Sequence, residues 1–150
     1  MQRIRGRTLL KWALAAALLA GCGDDNELPA ACAQGEQAVA AALASAPQAV
    51  RIDGVAISSC MTDAADASDV QALGTAVNGV AAKLADQAEE RPDSTEALRL
   101  GYLVGAVERG STKSQGLHSQ LRRRLEEEVG RVDRSSPAFR RGERAGRRLG

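Results

Sequence analysis

The residues with the widest chemical scope in this chain are three cysteines, one histidine, a spaced trio of aspartates and an arginine-rich end. Only the arginines survive inspection as a candidate site. Cys32 and Cys60 have no histidine near them, so they supply half of a zinc site at best. His118 stands alone, and no serine or cysteine nucleophile with a recognisable elbow accompanies it. Asp63, Asp66 and Asp69 sit three apart but lack the alternating acids, glycine and terminal glutamate of a calcium loop. Acids closing one helix and opening the next explain them better. The glutamates at 126 and 128 read as a helix surface. The sequence predicts no catalytic residue, no metal site, no cofactor and no enzymatic activity.

Residues 131–150 hold seven arginines against Asp133 and Glu143, a local charge of +5. Arg140, Arg141, Arg144, Arg147 and Arg148 are the candidates for binding an anionic surface, such as lipid headgroups or a wall polymer. The bland alternative is a solvated, partly disordered terminus. Base-stacking and sugar-binding platforms need several rings. The chain has only Trp12, Tyr102 and Phe139, so nucleic acid is not an expected partner.

Compartment decides what those arginines can meet. Arg3, Arg5, Arg7 and Lys11 precede an apolar run from Trp12 to Ala20, and small residues lead into Cys22. This is the layout of a secretory signal peptide, and the run falls well short of the ~20 apolar residues that cross a bilayer. Leu19-Ala20-Gly21-Cys22 resembles the lipobox of bacterial lipoproteins. That resemblance covers the first residues only. It implies cleavage after residue 21, diacylglycerol attached to Cys22, and display on the extracytoplasmic face of a membrane. Two or more acyl chains anchor stably where one does not.

Without residues 1–21, 129 residues remain, with sixteen basic against nineteen acidic side chains, or −3. Residues 22–130 then carry −8, an acidic body with a basic end. With Cys22 lipidated, Cys32 and Cys60 form an even pair in an oxidising compartment. They read as a disulfide, with two free thiols as the alternative. Closing that loop contributes roughly 3 kcal/mol in the chain-entropy model.

The remaining patterns predict an all-α small helical bundle built from helical hairpins. Alanine-rich residues 35–46 favour helix until Pro47. Residues 49–57 alternate weakly around Asp53-Gly54, a hairpin-like extended segment. A long helix is expected from a Ser68–Gln71 capping box to about Glu90, with Val70, Leu73, Val77, Val80 and Leu84 on one stripe. A second should run over about 95–109 behind Asp93 or Ser94, stopped by Gly110 at its C′ position. Its Gly101 and Gly105 lie one turn apart and suit close approach of a neighbouring helix. A third is expected over about 112–129, with Leu117, Leu121, Leu125 and Val129 inward and Arg122–Arg124 facing Glu126–Glu128.

Residues 97–105 and 138–146 share the pattern Ala-[Leu/Phe]-Arg-x-Gly-x-x-x-Gly at an offset of 41. The same offset lays Ser94 on Ser135, Leu84 on Leu125 and Val80 on Leu121. Residues 69–109 and 110–150 read either as two copies of one helical hairpin or as chance matches in an Ala/Arg/Gly-rich chain. On the first reading the basic end is a fourth helix, with Phe139, Gly142, Gly146 and Leu149 on one stripe. The organisation expected is a signal peptide at 1–21, an acidic linker at 22–31, a helical domain at 32–133 and an Arg/Gly-rich segment at 134–150. The function expected is that of a membrane-anchored, non-enzymatic envelope protein contacting another envelope protein or an anionic surface. The alternative is a carrier of a small apolar ligand in a cavity between helices.

Overall fold

A computed structural model describes residues 28–112 and 117–150. The proposed signal peptide, Cys22 and the acidic stretch to Glu27 lie outside the described residues. The described chain is predominantly helical and carries one two-stranded sheet.

A 3-10 turn at Ala30–Ala33 leads into α1 (Glu36–Ala42), which tightens into a further 3-10 turn at Leu43–Ser45 before Pro47. Leu28 and Ala31, in the stretch expected as linker, pack against the core. Strands β1 (Arg51–Ile52) and β2 (Val55–Ala56) pair antiparallel, Arg51 opposite Ala56 and Ile52 opposite Val55. Asp53 and Gly54 both have positive φ, 45° and 86°, the requirement of a type I′ hairpin turn. Ile57, expected in the second arm, instead opens a short helix, α2 (Ile57–Asp63). Cys60 on α2 is bonded to Cys32, so the link staples the first turn to α2.

The long helix is α3 (Ala67–Glu90). Its cap is Asp66 rather than Ser68: the Asp66 carboxylate accepts from the Asp69 backbone N–H at 2.9 Å and from the Ser68 hydroxyl at 2.6 Å. Both residues can cap, and the chain uses the earlier one, starting the helix one residue before Ser68. Asp63 closes α2 and Asp66 opens α3, as the three-residue spacing suggested.

Helix α4 (Thr95–Ser111) is capped by Ser94, whose hydroxyl accepts from Ala97 N–H at 3.1 Å. It is the central helix: every residue from Leu100 to Val107 is buried. Gly110 is not a C′ stop but a helical residue. A side chain there would strike Ser58 and Met61 of α2, so this glycine serves packing. Residues 113–116 lie outside the described set, and α5 (Leu117–Val129) follows. Leu121, Leu125 and Val129 are buried, and α5 packs on α3 and α4. Of the anticipated Arg–Glu pairs, Arg122–Glu126 closes at 3.6 Å on the surface.

The basic end is α6 (Pro137–Leu149). Residue 133 lies in the short connection before α6, and α6 packs on α4 as part of the same bundle.

Candidate functional site

Three local features make α6 a helix despite its arginine content. Ser136 caps it, accepting from Phe139 N–H at 3.2 Å, and Pro137 sits in the first turn where its missing N–H costs nothing. Arg147 and Arg148 stand in the last turn, favourable against the helix dipole. The Arg109 guanidinium donates to the Arg147 and Arg148 carbonyls, satisfying acceptors the helix leaves open.

Packing then fixes its orientation. Phe139 is fully buried, worth on the order of 2–3 kcal/mol. Gly142 and Gly146 meet α4 backbone to backbone. A methyl group at Gly142 would fall on the Leu98 carbonyl, and one at Gly146 on the Tyr102 carbonyl. Conversely, one at Gly101 would fall on the Phe139 carbonyl, and one at Gly105 on the Glu143 carbonyl. The contact residues are related by the offset of 41, so the echo in sequence is an approximately two-fold symmetric pair of parallel helices in space. The symmetry stops at the ends. The caps are Ser94 and Ser136, 42 apart, so Ser135 is not the counterpart of Ser94. The partners differ too: α3 has 24 residues and α5 has 13.

With its glycine stripe held inward, α6 turns its arginines outward. Arg140, Arg141, Arg144, Arg147 and Arg148 are all exposed and fall within an arc of about 120° at 3.6 residues per turn. They are not equivalent. Arg147 pairs with Glu108 at 2.6 Å and Glu143 at 3.1 Å, and the Glu108 hydrogen bond pushes its pKa higher still. Arg134 reaches Glu143 at 3.5 Å and lies 5.7 Å from the centre of the Phe139 ring. Arg131 clasps α3 through Asp86 and Glu89, the latter at 2.9 Å. Among the described residues, Arg140, Arg141, Arg144 and Arg148 form no ion pair. The seven arginines counted in sequence thus divide into three that brace the fold and four that face solvent unpaired.

The other candidates make contacts within the bundle. His118 is 5% exposed, its Nε2 2.7 Å from the Met61 carbonyl, and ties α5 to α2. No group of metal-ligating side chains occurs among the described residues, and no described helix is long and apolar enough to cross a membrane. Tyr102 is one residue the sequence did not mark for any bond. It is fully buried on α4, and its hydroxyl accepts from Val50 N–H at 3.0 Å. Burial pushes the phenol up, and the Val50 donor pulls the other way. A lone tyrosine in an apolar helix was the available signal, since a buried phenol needs a partner.

The glycine faces that would frame an apolar-ligand cavity touch each other directly. A space between Val104, Leu125 and Val129 amounts to about 10 Å³. A wider groove of about 370 Å³ runs between α3 and α5, with Gln71, Thr75, Asn78, Gln120 and Arg124 beside Val70 and Leu121. No protein-family model, curated protein or solved structure matches the chain.

Proposed function

We propose that this is a non-enzymatic envelope interaction protein, tethered through a lipid on Cys22 and contacting an anionic envelope component through α6. The observation that carries the reading is the set of four unpaired arginines on a helix whose opposite face is locked to α4 by backbone contact. A preorganised face loses little entropy on binding, and guanidinium forks match oxyanions bidentately.

The anchor is tested by labelling cells with a palmitate analogue: Cys22→Ser should abolish the label and leave only membrane retention that a high-salt wash removes. The contact is tested with the full chain carrying Cys22→Ser, mixed with washed envelope fragments in rising salt. The protein should co-sediment at low salt and release as salt rises, and Arg140, Arg141, Arg144 and Arg148 changed together to Gln should abolish retention. Equal retention of both forms overturns the reading. An apolar lipid co-purifying with the protein, seen by mass spectrometry, would favour the carrier instead.

A further inference from the structure

The interaction just proposed leaves open what the arginines hold, and the placement of α6 narrows it. Arg140, Arg144 and Arg148 follow one another at i, i+4 and i+8, about 6 Å apart along the axis at 1.5 Å per residue. Arg141 flanks that line. The one acid of α6, Glu143, is taken by Arg134 and Arg147. The face is therefore a row of positive charge slanting around the helix, with the Asp133 carboxylate, held low by Ser135 and in part by the nearby Arg140, beside its first member.

A helix that lies in a membrane surface embeds an apolar face between the headgroups. In α6 that face is spent on α4: Phe139, Gly142, Ala145 and Gly146 are buried. Leu149, 36% exposed, is the large apolar side chain left at its surface.

The place of α6 in the bundle matters as well. The described chain enters at Leu28 and the turn Ala30–Ala33, which packs on α3. That turn is bonded through Cys32 to Cys60, on the opposite side of α2 from Ser58. Ser58 donates to the Gly150 carbonyl at the end of α6. Helix α4 presents Leu100, Leu103 and Val107, all fully buried, on the face opposite its glycines. So α2 lies between the entry turn, bonded to it through Cys60, and the end of α6, bonded to it through Ser58.

Resting on the function proposed above, we infer that the α6 arginine row binds a linear phosphate polymer rather than the membrane that anchors the chain. Such a polymer offers charges in series along one line, the form in which this helix offers its own. Binding of this kind is dominated by charge and falls steeply with salt.

The test uses the full chain carrying Cys22→Ser and three probes: long-chain polyphosphate, orthophosphate and phosphatidylglycerol vesicles. Polyphosphate should bind far more tightly than orthophosphate at equal phosphate concentration. The slope of log affinity against log salt should be about −3 for four contacts to a flexible single chain. Changing Arg140, Arg141, Arg144 and Arg148 to Gln should weaken binding at least about tenfold and flatten that slope, with an unchanged melting curve. Arg144→Gln alone should reduce the slope by about 0.7, which keeps the test open should the fourfold variant misfold. Arginine-dependent binding to the vesicles, as tight per phosphate as to polyphosphate, overturns the polymer assignment and leaves the proposed function standing. Absence of binding to both overturns the polymer assignment, and retention on envelope fragments then decides whether the proposed function stands.

Discussion

Two helix pairs in this bundle are joined by different means. Between α4 and α6 the side chains are missing at the seam, and carbonyls of one helix lie where a methyl of the other would be. Between α3 and α5 side chains such as Val70 and Leu121 stand at the contact, and a groove remains beside them. Even its glycine behaves differently: a methyl at Gly74 would come within 2.6 Å of Leu121 Cδ1, the mobile end of a side chain. A seam of backbone is rigid and intolerant, whereas a seam of side chains gives. The helix that must present a fixed row of charge is held by the rigid kind.

The contrast can be broken most forcefully at the glycines. Gly101→Ala with Gly142→Ala should separate α6 from α4, costing at least about 3 kcal/mol by urea unfolding, well beyond the roughly 1 kcal/mol of helix propensity gained per site. Tyr102→Phe tests the outer side of the same pair. It strands the buried Val50 N–H and should cost about 2 kcal/mol. Ser136→Ala removes the cap of α6 and should cost about 1 kcal/mol, with fraying confined to residues 137–140 in amide exchange. Gly74→Ala, on the forgiving seam, should change stability by less than about 1 kcal/mol, because Leu121 can turn aside. A loss comparable to that at Gly142 would erase the distinction between the seams.

The smallest effect concerns acid. The Ser68 hydroxyl and then the Asp69 N–H hold the Asp66 carboxyl below its usual range. A group depressed on folding contributes above the unfolded value, about 3.9. That contribution is lost as pH falls through the lower folded value. Denaturation series from neutral pH down to about 2 should therefore show the start of α3 weakening in acid. The turn before α6 should weaken as well, because the Ser135 hydroxyl and N–H hold the Asp133 carboxyl below its usual range, and Asp66→Asn should remove the response at α3 alone.

What was legible in the chain was local. The stripe from Val70 to Val80, the Asp53-Gly54 turn, the cysteine pair and the one-turn glycine spacing each act over a few residues or through composition, and each appears where its pattern lay. Choices between equivalent local solutions were not legible. Asp66 and Ser68 can both cap, and Gly110 can stop a helix or admit a neighbour. Helix α2, at seven residues, is too short to show a period. The division of the arginines was invisible for a different reason. Arg131 and Arg147 find acids 45 and 39 residues away, a matter of topology that no window along the chain contains. The sequence could therefore point to the basic end but not say which arginines were free.

One consequence of the α4–α6 seam concerns concentration. Contacts in which residue i meets j, and the counterpart of j meets the counterpart of i, are those of an isologous dimer. A lone hairpin with such a face would have to find a second copy, and its folding would be subject to mass action. Here the linkage through α5 joins both faces in one molecule, so the pairing is complete at any dilution, and the arginine row it supports is present on every copy.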